Sequence, residues 1–239
     1  MLDLTINKVV LSMKKYAKVN MISHSVGTAN LSLIYNFSNQ HYHAAVFFSE
    51  CAQKIELDFY SNKVISAEQK NEYLNYTTSS VVFFIAALES SINELYYHAS
   101  LGMTNSFKGI SEEGRLFLSE FWPEIERLPI LNKYLKALFL LKAEKIDLGA
   151  KVYQNIDNIV KLRDILIHFK PECDSDLVIQ KKIQNRLKGK FKLTPFYDES
   201  YLWFPHRCLS YSCTKWVKES IIQFMQEFCK KANIPYRFY

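Results

Sequence analysis

Residues 66–100 read SAEQKNEYLNYTTSSVVFFIAALESSINELYYHAS, a stretch without a single glycine or proline. Ser66 followed three residues later by Gln69 is the pattern of a capping box, in which the two residues satisfy each other's free backbone N–H groups at a helix start. Because no helix breaker follows, the helix can continue to about Ser100. The stretch therefore predicts one long helix, the longest element of the chain.

The rest of the sequence is equally poor in turn-forming residues. The 239 residues include six glycines and six prolines, about 5% of the chain against roughly 12% in average proteins. Sandwiches, barrels and propellers need a turn signal every ~8 to 12 residues, and doubly wound nucleotide folds need glycines at their strand-to-helix corners. The glycines also form neither of the common phosphate-binding motifs. Length and composition therefore predict an all-α fold in one large domain.

Hydrophobic periodicity divides the chain into further elements. We expect a loop or a marginal hairpin between residues 20 and 39, around Leu31, Leu33, Tyr35 and Phe37, and an extended basic connector from Lys190 to Pro195. Residues 1–62 are interpreted as an N-terminal helical and loop segment that packs on a helical domain of residues 63–239. Helices are predicted over about residues 2–17, 41–60, 111–127, 130–145, 150–170, 174–188 and 206–232.

The positive charge of the chain lies near its C-terminus. The formal net charge is +6, yet residues 181–239 hold 12 Lys and Arg against four Asp and Glu. These residues could form a stripe that contacts phosphates, or the solvated face of a helix followed by a basic loop; both interpretations stay open. The basic residues between positions 181 and 192 are Lys181, Lys182, Arg186, Lys188, Lys190 and Lys192.

The cysteines and the apolar segments indicate a cytoplasmic protein without a metal. Five cysteines with no repeated short spacing are typical of reduced thiols. His206, Cys208 and Cys213 resemble metal ligands, as do His41 and His43, but neither group has the second half of a tetrahedral set. No apolar run is long enough for a signal peptide or a membrane span, so we expect no membrane partner and no cofactor.

The predicted helix over residues 150–170 carries the most informative side chains. At 100° per residue, Asp157, Lys161, Asp164 and His168 form one polar stripe. Arg163 lies in the middle of an apolar arc instead. A guanidinium is expensive to bury alone, so Arg163 must be paired, open to a cleft or turned toward a partner. The apolar residues of that arc are Ile156, Ile159, Val160, Leu166 and Ile167.

His168 is predicted to end this helix, because Pro171 disfavours a helical Lys170. Asp164, one turn earlier, can hydrogen-bond the ring, and the helix dipole favours its protonated form. Such an Arg and His can serve phosphate-ester chemistry, with His168 moving protons and Arg163 neutralising charge. The alternatives are a histidine that only caps the helix and an arginine that pairs with a buried glutamate.

The stretch KLRDILIHFKP at residues 161–171 resembles the Arg-polar-x-x-x-His motif of HEPN domains. Residues 84–99, FIAALESSINELYYHA, look like a helix near the start of many bacterial HEPN proteins, and residues 203–228 look like the C-terminal helix of some of them. The resemblance implies an up-and-down helical bundle, with an additional N-terminal segment here, that forms a homodimer. Arg163 and His168 would be the motif residues. Asp164 would be the polar second position, which is more often Asn.

Active members of that family are metal-independent endoribonucleases of toxin–antitoxin, phage-defence and RNA-processing systems. The resemblance implies that the 2′-OH of RNA attacks the adjacent phosphorus in a cleft between two protomers, with an antitoxin or a defence-system protein as a further partner. A catalytically inactive HEPN-like module that binds protein or nucleotide is the alternative, and an unrelated helical adaptor is a third. Outside the catalytic trio, the candidate substrate-binding residues are Glu89, Asn93, Lys170, Lys181, Lys182, Arg186 and Lys188. Glu89 and Asn93 lie on the flank of the apolar face of the long helix, where one of them could pair with Arg163 or position RNA; a surface role is the alternative.

Overall fold

The protein is an all-α helical bundle, as its sequence predicts. The structure, a computed structural model, describes residues 20–24, 30–103, 107, 109–172 and 177–236. The helix predicted over residues 2–17 lies outside the described residues. The helices are α1 (Ser38–Asn62), α2 (Ala67–Ser100), α3 (Glu112–Glu120), α4 (Trp122–Ile125), α5 (Ile130–Leu140), α6 (Lys151–Ile167), α7 (Val178–Leu187) and α8 (Tyr211–Ala232), with a π-helical turn at Trp203–Arg207.

Two short strands precede the helices. Strands β1 (Asn20–His24) and β2 (Asn30–Ile34) pair antiparallel, with Asn20 opposite Ile34. Of the two predicted alternatives for this region, the hairpin is therefore the observed one. Its second strand ends at Ile34, so Tyr35 and Phe37 fall in the connection to α1.

Helix α2 forms the centre of the bundle. The predicted capping box is confirmed, since the Gln69 N–H donates to Ser66 Oγ at 3.1 Å and the Ser66 N–H donates to Gln69 Oε1 at 2.9 Å. The helix then runs to Ser100 and packs against α1, α6 and α8. Burial of its apolar face is the main stabilising contribution. That face includes Val81, Phe84, Leu88, Ile92 and Leu95.

The predicted helix boundaries were wrong at four places. The helix expected from about residue 174 begins at Val178. The helix expected over 111–127 divides at Phe121 into α3 and α4, because Pro123 has no N–H to continue the ladder of α3. The helix expected to reach 145 ends at Leu140, two residues before Lys142 takes a left-handed φ of 54°. The last helix begins at Tyr211 rather than near 206, where Ser210 Oγ caps it by accepting from the Cys213 N–H at 3.0 Å.

Helix α1 shares its core with α2 and α8. Its residues Tyr42 and Ala45 are buried in the main hydrophobic cluster. Polar contacts tie it to both neighbours, since Ser80 Oγ of α2 donates to the Ala45 carbonyl at 2.9 Å and Ser49 Oγ lies 2.7 Å from Thr214 Oγ1 of α8. The part of the N-terminal segment from Ser38 onward therefore packs on the bundle.

A half-buried carboxyl on α1 makes the stability of the bundle depend on pH. Glu56 accepts hydrogen bonds from the Tyr73 hydroxyl and, at 3.2 Å, from the Tyr211 N–H, yet burial raises the pKa of Glu56 above its ordinary value. The folded chain therefore holds this proton more tightly than the unfolded chain. The contribution to stability is complete below the unfolded pKa of about 4.3 and is lost as pH rises through the higher folded pKa.

Glu56→Gln keeps an acceptor for both donors but does not titrate. We expect the melting temperature of this variant minus that of the wild type to increase as pH rises from about 4 to 7, across the range in which the wild-type carboxyl ionises. Differential scanning fluorimetry measures both melting temperatures, and Glu50→Gln, at an exposed site on the same helix, is the control. A difference that falls with pH would contradict the raised pKa.

Candidate active site

Arg163 is paired, the first of the three alternatives predicted for it. Its side chain is 18% exposed; Nη2 lies 3.8 Å from Glu89 Oε2 of α2, and Nε lies 3.4 Å from Asp164 Oδ1. These are ion-pair distances only, since the buried Nε has no hydrogen-bond partner among the described residues. The guanidinium is thus held in place with donor capacity left over.

Glu89 also faces a second cation. Lys133 of α5 is only 2% exposed, and its Nζ lies 3.7 Å from Glu89 Oε1 and donates to Asn93 Oδ1 at 2.9 Å. The Lys133 ammonium lies 5.9 Å from the centre of the Trp122 ring as well. Glu89 therefore bridges Lys133 and Arg163. Glu89 and Asn93, both candidate substrate-binding residues, thus belong to this ion-pair cluster.

Lys133 is a member of the cluster that our sequence analysis missed. The signal was present, because a lysine stands within the apolar spacing of Ile130, Tyr134 and Ala137 on a short helix, and all four residues are buried. A charged residue in an apolar stripe is expected to have a buried partner.

His168 stands where the sequence predicts, at the end of α6. The helix ends at Ile167, and the His168 N–H donates to the Asp164 carbonyl at 2.8 Å. The ring itself is exposed and makes no hydrogen bond with a described residue, so the Asp164 carboxylate lies against Arg163 and does not bond the ring. The imidazole is therefore free to approach a ligand or a second copy of the chain.

Exposed apolar side chains flank His168 on both sides. Ile167 is 49% exposed and Phe169 is 50% exposed, while the Phe169 ring stacks on Phe204 with centroids 6.2 Å apart. Single exposed apolar residues are common, but two beside an exposed histidine at a helix end form a surface that can pack against a partner.

The basic residues of α7 divide into two groups. Lys181 and Lys182 are exposed on the side of α7 opposite the buried Ile183 and Leu187, and Lys170 and Lys188 are exposed in the connections. Arg186 is engaged, since its Nη1 donates to Asn158 Oδ1 at 3.2 Å and lies 3.5 Å from Asp157 Oδ2. The exposed lysines are thus available to an anion, whereas Arg186 contacts α6 and stabilises the packing of α7 against it.

Comparison of the chain with protein-family models, with curated proteins and with solved structures found no match. Among the described residues, no helix is both long and apolar enough to cross a membrane. In the same part of the chain, no three His, Cys, Asp or Glu side chains lie together as a metal site would require.

Proposed function

We propose that this protein is a metal-independent endoribonuclease of the HEPN type, acting in phage defence or as the toxin of a toxin–antitoxin pair. The observation that carries the proposal is that α6 holds an anchored but incompletely hydrogen-bonded arginine, Arg163, and ends at an exposed histidine, His168. One group can neutralise charge on a phosphate, and the other can transfer protons.

The chemistry follows from these two groups. The 2′-OH of RNA attacks the adjacent phosphorus, a bond forms between O2′ and phosphorus, and the bond from phosphorus to O5′ breaks. His168 takes the proton of the attacking hydroxyl or supplies one to the leaving oxygen. Arg163 stabilises the negative charge on the non-bridging oxygens. The products are a 2′,3′-cyclic phosphate and a 5′-hydroxyl, and DNA is not a substrate because it lacks the 2′-OH.

Two copies of the chain are needed to bring both groups to one phosphate. Five residues separate Arg163 from His168, which at 100° per residue places them about 140° apart around the helix axis. A second copy related by a two-fold axis can face its His168 toward the first copy's Arg163. The exposed Ile167 and Phe169 support an interface at this end of α6.

RNA cleavage in EDTA tests the proposal. The purified chain should cut mixed RNA in the presence of the chelator, leave 2′,3′-cyclic phosphate ends and spare DNA of the same sequence. Arg163→Ala should abolish cleavage. Arg115→Ala is the matched control, since Arg115 of α3 is also a partly buried arginine in a 3.8 Å ion pair, with Glu112. Cleavage that stops in EDTA, or equal activity of both variants, would contradict the proposal.

The proposed interface predicts the effect of charge beside His168. The double variant Ile167→Asp with Phe169→Asp should be a monomer at micromolar concentration and should not cut RNA, because burying two carboxylates in an apolar interface is costly. Light scattering after size exclusion measures the mass. Val64→Asp, at an exposed apolar residue between α1 and α2, should leave the dimer intact. A wild-type chain that is monomeric under these conditions would rule out a shared site.

One observation favours the second candidate function, a HEPN-like module that binds a protein or nucleotide without cleaving RNA. The Arg163 guanidinium already faces two carboxylates, those of Glu89 and Asp164. An arginine that serves only to join α6 to α2 would have such partners. In that case the EDTA experiment gives no cleavage with the wild-type chain, and Arg163→Ala lowers stability rather than activity.

A further inference from the structure

A polar cavity lies between α6, α8 and the turn after α7. It has a volume of about 430 Å³ and shares no residue with the ion-pair cluster around Arg163. Clefts that bind small molecules commonly have ~300 to 1,000 Å³, so a ligand of the size of a nucleotide can be accommodated. The residues that matter for its chemistry are Lys151, Asn155, Lys188, Lys190, Trp216 and Glu219.

The cavity has an excess of positive charge. Three lysines line it against one carboxylate, and none of the three forms an ion pair within the part of the chain that the structure describes. The carboxylate of Glu219 lies instead 4.0 Å from Lys215, outside the lining. Three lysines and one carboxylate leave a net charge of +2 around the cavity, and a bound anion would reduce the repulsion between the lysines.

Local structure places two of these lysines at the cavity. Helix α7 ends at Leu187, and Gly189 turns the chain with a φ of 78°, a conformation that glycine adopts at little cost. Lys190 follows, and its Nζ donates to Oδ1 of the buried Asn155 at 3.0 Å. The Lys190 ammonium is thus fixed by a neutral amide, which leaves its charge available for an anion.

An aromatic side chain, that of Trp216, lies beside the lysines of the cavity. Trp216 of α8 lines the cavity, and the Lys190 Nζ lies 5.9 Å from its ring centre, while Phe191 supports the indole with ring centroids 5.4 Å apart. An indole next to lysines is the combination that proteins use for a base joined to a phosphate. The hydroxyl of Ser220 and the amide of Gln223, also in the lining, supply hydrogen-bonding groups for a base or a ribose.

We propose that this cavity binds a nucleoside phosphate, with the phosphate on Lys151, Lys188 and Lys190 and the base against Trp216. The ligand is either a free nucleotide or one nucleotide of an RNA strand, since both present the same chemistry. The proposal does not depend on RNA cleavage, because it concerns binding at residues apart from Arg163 and His168.

Titration of the wild-type chain with adenosine 5′-monophosphate, inorganic phosphate and an uncleavable 2′-O-methyl oligoribonucleotide tests the cavity, with calorimetry as the readout. Trp216→Leu and Lys188→Gln should each weaken binding at least about tenfold. Lys54→Gln, an exposed lysine of α1, should not. Lys188 is itself exposed, so its replacement leaves the fold intact, which the melting temperature checks.

The three ligands distinguish a free nucleotide from one nucleotide of an RNA strand. Monophosphate binding that depends on Trp216 and Lys188 indicates a free nucleotide, and dependence seen with the oligonucleotide alone indicates an RNA subsite. Inorganic phosphate that binds as tightly as the nucleotide would overturn the role of Trp216. If neither the nucleotide nor the oligonucleotide responds to the two variants, the proposal is wrong, whatever the outcome of the cleavage assay.

Discussion

His168→Ala is expected to lower the rate of RNA cleavage by about 10²- to 10⁴-fold, the usual contribution of a general acid or base. The ring is exposed and makes no hydrogen bond with a described residue, so its removal should barely change the melting temperature. Loss of activity can then be assigned to chemistry and not to unfolding. Single-turnover cleavage of a defined RNA under saturating protein measures the effect on the chemical step.

His168→Gln makes the experiment sharper. Glutamine retains a hydrogen-bonding amide but does not transfer protons near neutral pH, so this variant should be as inactive as the alanine variant while its affinity for RNA stays close to that of the wild type. A glutamine variant with substantial activity would show that the side chain at 168 only positions the substrate.

The features of the fold that depend on residues close together in the sequence could be predicted from it. The capping box of Ser66 and Gln69 is local chemistry, and it gave the correct start of α2. The end of α5 could not be read in the same way, because the residue that takes the left-handed conformation is Lys142 and not a glycine. Tertiary packing must hold that conformation, and one sequence contains no direct sign of it.

The candidate site shows the same division. The place of Arg163 in an apolar arc predicts that it needs a partner, and it has one. The sequence offers Glu89 and Asn93 as possible partners, on a helix about 70 positions earlier in the chain. Which of them pairs with Arg163 depends on how α6 crosses α2, and helical periodicity does not specify crossings. Sequence spacing thus identifies which residue needs a partner and a small set of candidates, while the structure shows which candidate it contacts.

Glu89→Ala is expected to give the largest loss of stability among the changes at this site. The carboxylate lies between Lys133 and Arg163, and Lys133 is 2% exposed. Without Glu89, the Lys133 ammonium stays buried with the Asn93 oxygen and the Trp122 ring as its remaining polar and aromatic contacts among the described residues. Removing one member of a buried pair costs about 3 to 5 kcal/mol. Because the Glu89 side chain is itself 40% exposed, water can take over part of its interaction with the two cations. We therefore expect a loss of about 2 kcal/mol in the free energy of unfolding.

Lys133→Met distinguishes a buried charge from a lost packing contact. Methionine fills similar space without a charge, so adding Lys133→Met to Glu89→Ala should recover most of the lost free energy of unfolding, measured by urea denaturation. The double-mutant cycle should give a coupling of about 1 to 2 kcal/mol. Glu112→Ala, which removes the exposed partner of Arg115, is the control and should change stability little. If Glu89→Ala is as stable as the wild type, or if Lys133→Met lowers stability further, Glu89 does not stabilise the buried lysine, and its remaining role is to hold Arg163 for the substrate.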